Sequence, residues 1–129
     1  MLPDKIRAFI SENHNGVLTT FRKNGAAQMS IITCGVYREG VAFTSAGGLA
    51  KLANLSRNPR CTLLVSRPDW WGYVVLEGHG ELLSPENTDP EELRVALREV
   101  YRVAAGKDHP DWEEYDQAMK EQHRSVVIV

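Results

Sequence analysis

The chain has 129 residues, enough for one domain to bury a core without disulfide or metal staples. Hydrophobic residues make up 43% and charged residues 25%, and fifteen basic against seventeen acidic side chains leave almost no net charge. That balance excludes a general nucleic-acid or anionic-membrane surface. Two cysteines, Cys34 and Cys61, are too few for a disulfide framework, and CxxC spacing is absent. They read as two buried thiols of a cytoplasmic protein.

The first stretch, MLPDKIRAFISENHNG, has no apolar run of signal or membrane length. Ile6, Phe9 and Ile10 fall at i, i+3 and i+4, which predicts a short amphipathic helix over 3–13, stopped by Asn15-Gly16. GVLTTFR is rich in β-branched residues and reads as a strand, and Asn24-Gly25 turns it into a second, long strand, AQMSIITCGVY. A turn at 38–40 leads to a third strand, VAFTS. Leu49, Leu52 and Leu55 then mark a short helix, ended by Asn58-Pro59. CTLLVS and YVVLEGHGELL are two more strands. In the second of these, Gly78 and Gly80 share one face, the mark of a bulge or bend.

From Ser84 the period changes to helical. Leu93, Leu97, Val100, Tyr101 and Ala104 form one stripe. Trp112, Tyr115 and Met119 form another after Pro110, so a helical insert is expected at about 86–121. SVVIV reads as a sixth strand that closes the sheet or is continued by a longer natural chain. Tight turns imply antiparallel pairing, and six such strands suggest a small barrel, because closure removes exposed edges.

The chemistry-bearing stretch is TSAGGLAKLANLSRNPR, residues 44–60. Thr44 and Ser45 end a strand with hydroxyls. Ala46-Gly47-Gly48 is small and permissive, so its N–H groups are free to point outward. Lys51 stands off the apolar face in the first turn of the next helix. Helix N-termini attract anions, and a lysine adds a mobile charge. An ordinary strand-to-helix corner with a solvated lysine fits the same pattern. His14, His79, His109 and His123 lack metal-ligand spacing, and no nucleophile motif or Walker loop is present, so no catalytic side chain and no metal is expected.

FTSAGGLAKLANLSRNPRCTLLV resembles the corresponding segment of the pyridoxamine 5′-phosphate oxidase-like, flavin-binding split-barrel superfamily. In that family a lysine sits eight residues before the proline of an Asn-Pro pair, and Lys51 occupies its place. AQMSIITCGVY and YVVLEGHGEL resemble two further strands of the family. The segment ALREVYRVAAGKDHPDWEEYDQAMKEQHRSVVIV resembles the flavin and deazaflavin oxidoreductase branch, whose members use coenzyme F420. The resemblance implies a single domain, mainly β with helices, in a six-stranded antiparallel split β-barrel, acting as a homodimer. It implies hydride transfer between a deazaflavin and a small conjugated organic substrate. FMN in the same fold, or a cofactor carrier without turnover, is the alternative. The phosphate would lie near Lys51, Thr44 and Ser45, with Arg57. The backbone of Ile31 and Ile32 would run beside the ring, with Gln28 and Ser30 at its polar edge. Trp71 and Tyr73 would shelter the ring, or else pack in the core or interface. Many F420-binding members carry a base two positions before the lysine, where this chain has Leu49.

Overall fold

The computed structural model describes residues 2–129. In chain order the elements are α1 (Asp4–Glu12), β1 (Asn15–Phe21), β2 (Ala27–Thr33), β3 (Gly35–Tyr37), β4 (Gly40–Ser45) and α2 (Ala50–Arg57). There follow β5 (Arg60–Ser66), β6 (Tyr73–His79), β7 (Glu81–Leu83), α3 (Pro90–Ala105), α4 (Trp112–Glu121) and β8 (Ser125–Ile128). The strands form two four-stranded antiparallel sheets, ordered β2-β1-β5-β6 and β3-β4-β8-β7. The expected six-stranded closed barrel is therefore corrected to eight strands in two sheets, neither of them closed.

The difference has a local cause. The long second strand breaks at Cys34, where it leaves one sheet for the other. The Cys34 N–H donates to His14 O at 2.8 Å, and the Cys34 carbonyl meets His14 Nδ1 at 2.8 Å. The strand YVVLEGHGELL breaks likewise at Gly80, whose N–H donates to Pro59 O. Its first half pairs with β5 and its second with β8. Two chain segments thus each serve both sheets.

Burial follows the pleat. Ile32, Leu18, Leu63 and Val65 face inward from the first sheet, against Val41, Phe43 and Val127 of the second. Ile10 of α1 and Leu55 of α2 fill the ends of this core. A second cluster lies on the far side of the second sheet, where Ala42, Val126 and Ile128 meet Leu93, Ala96, Leu97 and Val100 of α3. Strand β8 is therefore buried on both faces, which is why SVVIV shows no alternation. Gly35 lets α3 come close: a Cβ there would lie 2.4 Å from Val103 O.

The residues that carry the deazaflavin-branch resemblance hold the two insert helices together. Asp111 caps α4 by accepting from the Glu114 N–H. Tyr101, Trp112 and Tyr115 pack edge to face, with the Arg102 guanidinium 4.8 Å from the Trp112 ring centre. Tyr115 Oη donates to Leu97 O at 2.7 Å across the pair. Among the described residues, no helix is long and apolar enough to cross a membrane.

Candidate anion and ring site

Strand β4 pairs with β3 only over 40–42, so Thr44 and Ser45 have a strand partner on the β8 side alone. Opposite that open edge runs β2, itself the edge of its sheet. The gap between them is a cleft of about 320 Å³, walled by Ile31, Ile32 and Thr33 on one side and by Thr44, Ser45 and Lys51 on the other. Two strand edges with unpaired main-chain donors and acceptors face one space, a fit for a flat heterocycle with hydrogen-bonding edges.

The turn from β4 into α2 shapes the cationic end. Gly48 takes a left-handed φ of +78°, open to glycine and strained for other residues. Gly47 is fixed by packing: its N–H donates to Gln122 O at 2.9 Å, and a Cβ would lie 2.9 Å from His123. That N–H does not point outward, contrary to expectation. Leu49, at the N-cap of α2, offers no side-chain acceptor; its carbonyl accepts from the Leu52 N–H at 3.1 Å, which leaves the Ala50 and Lys51 N–H groups without a side-chain cap.

Sequence reasoning missed one residue here. Arg124, just before β8, lines the same cleft and donates to Thr44 Oγ1 at 3.4 Å and to Gln122 Oε1 at 2.9 Å. Burial, and then the positive charge of Arg124, push the Lys51 ammonium below its ordinary pKa. Among the described residues, neither cation has a carboxylate within ion-pair distance. Arg124 belongs to the segment that carries the deazaflavin-branch resemblance, but its place in the cleft was not legible, because antiparallel pairing of β4 with β8 alone brings residue 124 beside residue 44.

The remaining predicted residues divide. Arg57 does not reach the cleft: its guanidinium donates to Phe21 O at 2.8 Å and to Asn54 Oδ1 at 3.0 Å. The six positions from Lys51 carry it about 9 Å along the helix. Arg57 instead starts a polar chain through Asn54, Thr20 and Gln28 to Ser30, with links of 3.0–3.2 Å. The chain ties α2, and so Lys51, to β1 and β2. Gln28 and Ser30 belong to it on the inward side of β2, beside the cleft and not among its walls. Ser45 is buried, its hydroxyl donating to Ala46 O.

Trp71 and Tyr73 lie at the opposite edge of the first sheet, three strand spacings or about 14 Å from β2. Within one copy they do not meet the cleft. They are 90% and 60% exposed, on an outward face whose register aligns Ile31, Val17, Leu64 and Val75 in one apolar row. Ile31 at 85% exposure and Met29 at 66% extend that face to the cleft itself.

A family model described as pyridoxamine 5′-phosphate oxidase matches residues 2–128. The chain belongs to this family. Among solved structures it is similar to the conserved hypothetical protein Rv2991 from Mycobacterium tuberculosis, with a TM-score of 0.78 and 22% identity over 100% of this chain and 80% of that one. It is also similar to a protein named F420 reductase, with a TM-score of 0.68 and 19% identity over 99% and 94% of the two chains. A heme binding protein from Mycobacterium smegmatis matches at 0.68 and 19%, covering 100% of this chain and 52% of its own. At these identities the shared property is the fold.

Proposed function

We propose that the protein is an oxidoreductase that holds the deazaflavin coenzyme F420 in the cleft between β2 and β4, with the phosphate at Lys51 and Arg124. One observation carries the reading: two cations without a carboxylate partner meet at an uncapped helix N-terminus, beside two open strand edges. An isolated pair of like charges costs free energy unless an anion joins them. The named F420 reductase with the same fold supports the choice of cofactor.

When bound, such a cofactor supplies hydride transfer. The chain's own residues bind, orient and exclude water. Lys51, Arg124 and the Thr44 hydroxyl hold the phosphate. The main chain of Ile31 and Ile32 lies along the ring, and the Arg57-to-Ser30 chain keeps α2 and β2 in register. A second copy completes the site: its outward sheet face docks on the first copy's, and the partner subunit's Trp71 and Tyr73 cover the ring. The area exposed by Ile31, Met29, Trp71 and Tyr73 supports such a homodimer. The substrate is a small conjugated organic molecule, protonated by solvent, in a cytoplasmic enzyme. Leu49 favours FMN as a second reading, since it leaves the phosphate end one base short of many F420-binding relatives.

Titration of the purified protein with F420 and with FMN, followed by fluorescence, tests the cofactor. Oxidation of reduced F420 by quinone and enone acceptors tests turnover. Tighter binding of FMN reassigns the cofactor, and tight F420 binding without turnover makes the protein a carrier. Binding of neither refutes the reading.

A further inference from the structure

A second cavity lies under the helical insert and shares Arg124 with the cleft. It holds about 250 Å³ between α3, α4 and the segment that joins β7 to α3. Its walls are apolar: Pro85, Pro90, Leu93, Leu97 and Met119. Leu93 and Leu97 are one turn apart on the buried stripe of α3, so their outer faces form the floor. An apolar void of this kind stays poorly hydrated and gains from an apolar occupant.

Charge at the rim decides what kind of occupant. Arg94 pairs with Glu91 and reaches Asp116 at 3.7 Å, while Arg98 holds Asp116 at 2.5 Å. Those groups neutralise one another. Lys120 and Arg124 also line the rim; among the described residues neither has a carboxylate at ion-pair distance, although the Lys120 charge acts on Asp116 and Arg124 also donates to Thr44 and Gln122. The rim thus keeps an excess of positive charge over an apolar interior. Asp116, close by, disfavours a dianion.

We propose that this cavity binds a small monocarboxylic acid with an apolar tail, its carboxylate at Lys120 and Arg124 and its tail against Leu93, Leu97 and Met119. The volume is below the roughly 300–1,000 Å³ of drug-sized pockets, which limits the ligand to a short chain or a single ring. The site shares Arg124 with the phosphate position of the redox reading and otherwise uses the insert helices, not the strand edges.

The test is methyl NMR on protein labelled at methionine and isoleucine methyls, titrated with hexanoate, phenylacetate and the neutral hexanamide. The Met119 methyl reports on the cavity, and the Ile31 and Ile32 methyls on the cleft. The expected result is a saturable shift of Met119 with both acids, with Ile31 and Ile32 unmoved and hexanamide weaker. Lys120→Gln should weaken hexanoate about two- to fivefold, the range of an exposed ion pair. No saturable Met119 shift overturns the proposal. So does equal binding of acid and amide, or a shift of Ile31 and Ile32 in place of Met119.

Discussion

Lys51→Ala separates anion binding from structural support. Lys51 sits half-buried at the start of α2, with Arg124 as the nearest charge of note and no acid opposite. In the bound state it would make a charge-assisted hydrogen bond, worth about 1.5–3 kcal/mol. That corresponds to a loss of about 10- to 100-fold in affinity for a phosphate-bearing cofactor. The unbound protein should respond the other way. The folded chain holds the Lys51 proton less tightly than the unfolded chain does, so the charged ammonium costs stability at neutral pH. Alanine removes that cost, and the melting temperature of the free protein should hold or rise. Fluorescence titration with F420 and FMN, beside thermal unfolding followed by circular dichroism, measures both. Unchanged affinity in a folded variant refutes the placement of the phosphate. A fall in melting temperature that tracks the lost affinity refutes the argument that Lys51 is held for binding.

Other outcomes follow from the same geometry. Because the Lys51 pKa is depressed, its proton leaves below the ordinary lysine range, so phosphate affinity should fall with rising pH before a normal lysine titrates; a profile flat to pH 10.5 counts against this. Ile31→Asp with Val75→Asp places charges on the outward apolar row and should convert a dimer to monomer in sedimentation velocity, whereas a surviving dimer moves the interface elsewhere. Thr20→Val leaves the buried Asn54 Nδ2 and the half-buried Gln28 Oε1 without their shared hydroxyl, at a cost of about 1–3 kcal/mol in urea unfolding; an unchanged midpoint would mean that the polar chain carries no weight.

Much of this was legible in the sequence, for reasons that differ by element. Helix α3 announced itself through Leu93, Leu97 and Val100 at helical spacing. The turn Ala46–Leu49 and the position of Lys51 followed from local composition and resemblance. The strand count did not follow, because Cys34 and Gly80 interrupt runs that stay apolar and β-branched throughout. Hydropathy does not register a change of sheet partner. Arg57 stood as an auxiliary to Lys51 for the anion, and only the carbonyl of Phe21, brought close by the packing of α2, shows where its charge is spent. The role of Arg124 in the cleft was missed for the converse reason, its partner Thr44 being distant in sequence and adjacent in space.

Strand β8 joins β4 to β7 and supplies inward and outward side chains to two separate clusters. While a nascent chain lacks residues 125–128, β4 and β7 have no bridge, and both layers beside them expose greasy faces. The cleft shares that timing, since Arg124 reaches Thr44 only once β8 zips onto β4. A ligand of the cleft cannot template early folding under such an order of assembly, and chaperone dependence should be greatest just before those residues emerge.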